Sequence, residues 1–163
     1  MSNKIIIVDE NDNIIGSKER ATLKDNEIYR VSALWITNSK NEILLARRHH
    51  TKSNHPNCWG PAVSGTVDEG ETYETNILKE TKEELGLTGV QPILGPKTKL
   101  ENVNHFTQWY TLTLDKNIED FIFQKEEVEE LKWFSKKEFL ENFQTNPKEF
   151  IPRMKMYFDL FQI

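Results

Sequence analysis

Apolar and β-forming residues occur in short runs separated by polar turns, a pattern that predicts many short strands. Residues 4–8 and 14–17 flank the polar sequence 10–13, which predicts a β-hairpin over about 4–17. Further strands are predicted at 30–38, 42–47, 59–64, 91–99, 105–114 and 131–134. The polar segment 49–57 and the glycine-bounded segment 65–70 are predicted loops.

The clearest helical pattern covers residues 72–85, where apolar residues recur at helical spacing. These residues are Tyr73, Ile77, Leu78 and Leu85. Gly86 follows them and predicts a C-terminal cap. A second helix is predicted to begin at Ser135 with a capping-box pattern and to run toward residue 142, and a third begins near Pro152. Strands mixed with helices in this order predict an α+β or α/β sandwich.

Composition narrows the class of protein. The chain of 163 residues is 37% hydrophobic, which fits one domain spanning 1–163. Its net charge of −5 argues against a general nucleic-acid binder, which needs a basic surface. The single cysteine, Cys58, excludes an intrachain disulfide and a Cys₂His₂ zinc site. No segment approaches the roughly 20 apolar residues of a membrane span or resembles a signal peptide, so we expect a cytoplasmic protein without a membrane partner.

Three glutamates in the predicted helix 72–85 break a local rule. Glu80, Glu83 and Glu84 stand at i, i+3 and i+4, so they share one face near the helix C-terminus. The helix dipole repels anions there, and like charges at this spacing repel one another. A solvated acidic face balanced by nearby lysines is the alternative interpretation. A bound divalent cation would compensate the repulsion, and a ligand set made of carboxylates alone suits Mg²⁺ or Mn²⁺.

Residues 65–87 resemble a Nudix box, the pattern G, five residues, E, seven residues, R-E-U-x-E-E-x-G-U, in which U is apolar. Every glycine and glutamate of that pattern is present. Lys79 stands in place of the arginine and Thr81 in place of an aliphatic residue. Lysine keeps the charge but loses the bidentate geometry of arginine.

The resemblance implies a Nudix fold, in which a mixed β-sheet lies between α-helices. It implies that Glu80, Glu83 and Glu84, with the carbonyl of Gly65, bind Mg²⁺, with Mn²⁺ as an alternative. It gives structural roles to the remaining box residues Gly70, Glu71, Lys79 and Gly86. The implied chemistry is attack of a metal-activated water on phosphorus, with a carboxylate accepting the proton. Glu83, Glu84 and Glu127 are the candidates for that catalytic role, and the choice among them stays open.

The rest of the chain resembles the isopentenyl-diphosphate-isomerase-like branch of the same superfamily. The resemblance rests on the hairpin, on residues 43–48 and on residues 126–134. It implies that Arg48 and Lys52 bind the substrate phosphates; the alternative for both is solubilising charge at a strand end. Ser64 and Thr66 stand where the isomerases have a cysteine and a metal-binding histidine, which disfavours isomerase activity.

Three functions remain open on the sequence. The leading hypothesis is a Mg²⁺-dependent hydrolase that cleaves the diphosphate linkage of a nucleoside diphosphate or a derivative of one. The alternatives are an isopentenyl-diphosphate isomerase and a non-catalytic nucleotide-binding sensor. We expect a small-molecule partner, no nucleic acid, and either a monomer or a homodimer.

Overall fold

A computed structural model of the chain describes residues 4–161, so the ends of the predicted domain 1–163 lie outside the described residues. Within that range the strands are β1 (Lys4–Val8), β2 (Ile14–Glu19), β3 (Ile28–Thr37), β4 (Ile43–Arg48), β5 (Trp59–Pro61), β6 (Val63–Thr66), β7 (Ile93–Lys99), β8 (His105–Thr113) and β9 (Val128–Phe134). The α-helices are α1 (Tyr73–Leu85), α2 (Lys136–Thr145) and α3 (Met154–Leu160). Short 3₁₀ turns lie at Arg20–Thr22, Ile118–Asp120 and Pro147–Glu149.

Strand β3 organises the sheet. One edge pairs in parallel with β8, from Tyr29 opposite His105 to Thr37 opposite Thr113. The other edge pairs antiparallel with β6 and, at its beginning, with β1 of the N-terminal hairpin. Strand β4 follows β3 through a tight turn and pairs antiparallel with β5 and β9. The sheet is therefore mixed, and it contains all nine strands of the described chain.

The two faces of the sheet carry different helices. Leu34 and Ile36 of β3 face a buried cluster that contains Ile77 and Leu85 of α1. Ala33 and Trp35 alternate to the opposite face, where the buried cluster contains residues of α2 and α3. The contributing side chains of this second cluster are aromatic-rich: Phe139, Phe150, Met154, Tyr157 and Phe158. This confirms the predicted α+β fold with the sheet between helices.

The predicted hairpin and the three helices are present, but the region before α1 differs from the prediction. The expected strand 59–64 is divided into β5 and β6, and Gly65 and Thr66 belong to β6 rather than to a loop. The cause is pairing with β3, because Gly65 lies opposite Ser32 and Thr66 lies opposite Val31. The longest helix, α1, has 13 residues, and no helix within residues 4–161 has the length and hydropathy of a membrane span.

The capping box at Ser135 forms only in part. The Ser135 hydroxyl accepts the backbone N–H of Glu138 at 3.1 Å, as predicted. The Glu138 carboxylate instead pairs with the Lys132 ammonium at 2.7 Å, across the end of β9. The carboxylate thus prefers a cationic partner to the reciprocal backbone N–H.

Candidate active site

Local capping places the glutamates of α1 beside β6. Thr72 accepts the backbone N–H of Thr75 through its hydroxyl and begins the helix. Gly86 ends it with φ of 67°, a left-handed conformation that favours glycine. A Cβ at position 86 would also lie 2.7 Å from the carbonyl oxygen of Ile122. The box glycine therefore fixes where α1 stops and where its last turn meets the sheet.

One cavity of about 330 Å³ collects the residues for which the sequence predicted a metal, catalytic or phosphate-binding role. Its lining includes Arg48, Lys52, Gly65, Glu80, Glu83, Glu84 and Glu127. These side chains come from β4 and the loop after it, from β6, from α1 and from the segment before β9. Four segments that are separate in the sequence thus meet at one place and bring carboxylates and cations into one cavity.

Gly65 has a steric reason to be glycine. A Cβ built on its backbone would overlap the carboxylate carbon, Cγ and Oε1 of Glu80. The backbone of β6 and the Glu80 carboxylate therefore lie in direct contact. This close approach leaves the Gly65 peptide and the Glu80 oxygens together at the cavity wall, as a shared metal site would require.

Glu71 and Lys79, two further residues of the box, form an ion pair next to Glu80. The Lys79 ammonium lies 2.7 Å from Glu71 Oε1 and 3.1 Å from Asp68 Oδ2. Asn76, which is fully buried, donates to Glu71 Oε2 at 2.8 Å. Burial alone would raise the pKa of Glu71, but these hydrogen bonds outweigh it and hold the pKa below its usual range. Lys79 therefore pairs with Glu71 although lysine lacks the bidentate guanidinium of arginine.

Two of the α1 carboxyls are in an environment that disfavours their charge. Burial, followed by the charge of Glu80, raises the pKa of Glu84 to about 8. Burial also raises the pKa of Glu80. Glu84 accepts one backbone hydrogen bond, from the N–H of Ser64 at 3.2 Å, and this does not offset the effect of burial. Crowded carboxyls of this kind gain stability from a cation placed among them.

The three glutamates fit a hard divalent cation by ligand type and position, although they are not drawn tightly together. Three histidine, cysteine, aspartate or glutamate ligand atoms lie within 4.8 Å of one another in only one group of the described residues. The group consists of His49, His50 and Glu129. That group is on the surface and does not line the cavity. The Glu80 carboxylate is instead held 3.6 Å from the Lys79 ammonium. Like charges at this spacing on one helix repel each other.

The predicted phosphate-binding residues, Arg48 and Lys52, line the same cavity as the glutamates of α1. Arg48 ends β4, and its Nε donates to the carbonyl of Asn54 at 2.8 Å, which directs the guanidinium along the loop 49–57. The Lys52 ammonium makes an ion pair with the Glu127 carboxylate. The backbone N–H of His49 donates to the carbonyl of Glu127 at 3.0 Å. Lys52 and Glu127 are therefore one unit, which the sequence did not predict.

The sequence did not single out Arg20 and Gln124, which also line the cavity, or Arg153. Arg153 lines a second cavity of about 260 Å³, whose other lining residues include members of β3, β6 and β8. The two cavities share Arg48, Ser64, Gly65 and Thr66. The only signal available for Arg153 was its place at the start of α3, directly after Pro152. His105 lines the second cavity, and Trp109 forms part of its wall although it is only 1% exposed.

Comparison with known proteins identifies the family. The NUDIX domain model matches residues 28–154. A Nudix hydrolase of Listeria monocytogenes, itself uncharacterized, is 31% identical over 143 residues, which cover 86% of this chain and 80% of that protein. The chain therefore belongs to the Nudix family, and it is a Nudix hydrolase by its family and relatives, as the sequence predicted.

Further comparisons agree with the fold and with the branch. An isopentenyl-diphosphate Delta-isomerase of Photorhabdus laumondii is 31% identical over 85 residues, covering 51% of this chain and 48% of that enzyme. A crystal structure from Deinococcus radiodurans superposes with a TM-score of 0.77 at 24% identity, covering 88% of this chain and 90% of the other. A MutT NUDIX hydrolase from Burkholderia pseudomallei gives 0.62 at 19% identity, covering 81% and 96%. The similarity to the isomerase is consistent with the isomerase-like branch.

Proposed function

We propose that the protein is a Mg²⁺-dependent hydrolase, able to use Mn²⁺, that cleaves the diphosphate linkage of a nucleoside diphosphate or a derivative of one. The observation that carries this proposal is the composition of the 330 Å³ cavity. Carboxylates of α1 form one part of its lining, and Arg20, Arg48 and Lys52 form another. A cation bound by carboxylates and an anion bound by guanidinium and ammonium groups fit side by side in such a cavity.

Glu80, Glu83 and Glu84, with the carbonyl of Gly65, would hold the metal ion. A bound Mg²⁺ supplies charge neutralisation on the phosphate oxygens and a lowered pKa for water. Arg48 and Lys52 orient the diphosphate by hydrogen bonds to oxygens that do not react. Arg20 adds a third cation at the same cavity. Such an arrangement would leave one phosphorus open to attack by water while the other phosphate stays bound.

The proton released by the attacking water needs an acceptor at the cavity wall. Glu84 and Glu127 both line the cavity, and the charge of Glu127 contributes to the raised pKa of Glu84. Glu127 is paired with Lys52, so a candidate base and a candidate phosphate ligand contact each other at the cavity. We propose Glu84, Glu83 and Glu127 as the carboxylates among which the base lies.

The isomerase hypothesis is weaker on chemical grounds. Ser64 and Thr66 line the cavity at the positions where the isomerases place a cysteine and a histidine. A serine hydroxyl is far less acidic than a thiol, and threonine offers no imidazole to a metal. The non-catalytic sensor hypothesis is disfavoured because the full set of box glutamates is present.

The deciding experiment is a turnover assay. Purified protein is incubated with Mg²⁺ or Mn²⁺ and a panel of nucleoside diphosphates, nucleoside diphosphate derivatives and isopentenyl diphosphate. We expect release of phosphate or a monophosphate from the nucleotides, and loss of that release with EDTA. Formation of dimethylallyl diphosphate would favour the isomerase, and tight nucleotide binding without turnover would favour the sensor.

Three further properties remain proposals. We propose that residues 1–163 form one domain, that the protein is cytoplasmic, and that it is a monomer or a homodimer. Limited proteolysis, cell fractionation and light scattering test the three proposals separately.

A further inference from the structure

The 260 Å³ cavity beside the catalytic cavity, which we call the Arg153 cavity, differs from it in charge. Its lining contains the guanidinium groups of Arg48 and Arg153 and contains no carboxylate. The catalytic cavity is instead rich in glutamates. Because Arg48 and residues 64–66 of β6 line both cavities, a ligand can extend from one cavity into the other past Arg48.

Among residues 4–161, no carboxylate pairs with the guanidinium of Arg153. No carboxylate in the described part of the chain lies within 4.0 Å of its guanidinium. Its neighbours in the cavity include Tyr157, which is 9% exposed, and His105. The Arg153 side chain hydrogen-bonds the Tyr157 hydroxyl. A guanidinium has five N–H donors, so others remain available to a ligand.

His105 does not compete with Arg153 for an anion or add a second charge. Burial, and then the positive charge of Arg153, lowers the pKa of His105 to about 4. Its imidazole is therefore neutral at neutral pH, and it offers one donor and one acceptor. Beside the guanidinium groups of Arg153 and Arg48, the cavity thus presents the neutral imidazole of His105 and an apolar wall that includes Trp109 and Ile151.

Size and polarity restrict the ligand. A volume of about 260 Å³ lies at the small end of ligand cavities, so it suits one compact ring rather than a second nucleoside. A hydrocarbon chain would leave the Arg153 donors desolvated and unpaired, which disfavours an isoprenoid group. A flat ring carrying carbonyl oxygens would satisfy the guanidinium and pack against the aromatic wall.

We propose that the Arg153 cavity binds the base of the substrate, and that Arg153 selects nucleobases that carry a carbonyl oxygen. This rests on the proposed diphosphate hydrolysis, because it assigns the organic group of that same substrate. The diphosphate then lies past Arg48 against α1, and the base lies between α3 and β8. Arg153 is a specificity residue that contacts the substrate without taking part in bond cleavage.

The test compares substrates that differ only in the organic group. GDP, CDP and UDP carry base carbonyls, ADP carries a base without one, and isopentenyl diphosphate carries a hydrocarbon. We expect wild-type kcat/KM to be at least about tenfold higher for the carbonyl-bearing set, the effect of one charge-assisted hydrogen bond. Arg153→Met should lower kcat/KM for that set by about 10- to 100-fold and change ADP and isopentenyl diphosphate less than about threefold.

Two further variants make the result specific. Arg153→Lys keeps a cation and should recover part of the preference. Lys155→Met removes a cation from the same helix, where Lys155 pairs with Asp159, and it should leave the preference unchanged. An equal loss on every substrate, or a wild-type enzyme that turns over ADP and isopentenyl diphosphate as well as the others, would overturn the proposal.

Binding separates this proposal from the proposed hydrolysis. Calorimetric titration of GMP, CMP and AMP into metal-free protein measures base recognition without turnover. Tighter binding of GMP and CMP than of AMP, lost in Arg153→Met, would support the role of Arg153 even if no diphosphate were hydrolysed. Equal binding of the three monophosphates to the wild type would contradict it even if hydrolysis were found.

Discussion

The backbone of Gly65 lies against the side chain of Glu80, so closely that a Cβ at position 65 would overlap the Glu80 carboxylate. Gly65 belongs to β6 and is held in place by its pairing with Ser32 of β3. Glu80 belongs to α1, whose end is set by Gly86. The contact therefore depends on the register of the sheet and on the length of the helix together.

Gly65→Ala should impair the site without unfolding the protein. The added methyl group must displace the Glu80 side chain, because the β6 backbone is held by the sheet. We expect turnover to fall by at least about a hundredfold, the usual scale for losing a group that positions metal or substrate. Gly16→Ala is the matched control, since a Cβ there meets no atom within 4 Å and the residue also lies in a strand. Equal activity of the two variants would remove the contact from the mechanism.

Mn²⁺ should raise the melting temperature of the metal-free protein through the α1 glutamates. A cation at about ten times its Kd should give a shift of roughly 3–6 °C for a chain of this size. Glu80→Gln should abolish most of that shift. His50→Ala is the control, because His49, His50 and Glu129 form a separate surface group that could bind a transition metal. A shift lost in His50→Ala and kept in Glu80→Gln would place the bound ion outside the cavity.

Glu84→Gln should lower turnover by at least about a hundredfold, as loss of a metal ligand or base does. It should leave the metal-free protein folded and equally or more stable, because the ionised carboxyl is disfavoured by burial and by Glu80. Urea unfolding without metal measures the second effect. Glu74→Gln, on an exposed position of the same helix, is the control and should retain turnover. Normal turnover in Glu84→Gln would exclude this residue from the reaction.

Arg48→Ala and Lys52→Ala should differ in their kinetics. Arg48 donates to the backbone of Asn54 and faces the cavity, so its loss should mainly raise KM, by about tenfold or more. Lys52 also pairs with Glu127, so its removal leaves that carboxylate without its cation. We therefore expect Lys52→Ala to lower kcat as well as to raise KM. Identical effects of the two substitutions would argue that the ion pair has no part in turnover.

The features that the sequence predicted correctly are those encoded locally. The glutamates of α1 share a face because three residues lie within five positions of one helix. The helix cap at Gly86 is also encoded locally, because it depends on the backbone conformation of that one residue, with φ of 67°. For the hairpin, the turn at residues 10–13 is fixed by hydrogen bonds from the backbone of Asn11 and Asn13 to the Asp9 carboxylate. Short-range geometry of this kind is readable from spacing and residue type.

The features that could not be predicted depend on pairing between distant segments. Whether Gly65 lies in a loop or a strand is decided by its partner in β3, more than 30 positions earlier. Arg153 reaches the second cavity because α3 packs on the sheet face opposite α1. Glu138 forms an ion pair with Lys132 of β9 instead of completing the capping box. In each case a residue with an ordinary local environment takes its role from the tertiary fold.

His105 should make the stability of the protein depend on pH below neutrality. Its imidazole lies 5.2 Å from the ring of Tyr29, and the facing charge is that of Arg153. Burial and that charge lower its pKa from 6.5 to about 4, so the unfolded chain binds a proton at this position more readily than the folded chain. The contribution of the neutral imidazole is therefore complete above about pH 6.5 and is lost as the pH falls toward 4.

Replacing the residue in His105→Gln removes this titration. The wild type should therefore lose stability relative to the variant between pH 6.5 and 4. The difference in stability between the two proteins should stay constant above that range. Urea unfolding of both proteins at pH 7.5 and pH 5 measures the change. A wild type and His105→Gln that lose stability in parallel would show that the buried imidazole is protonated as readily in the folded chain as in the unfolded one.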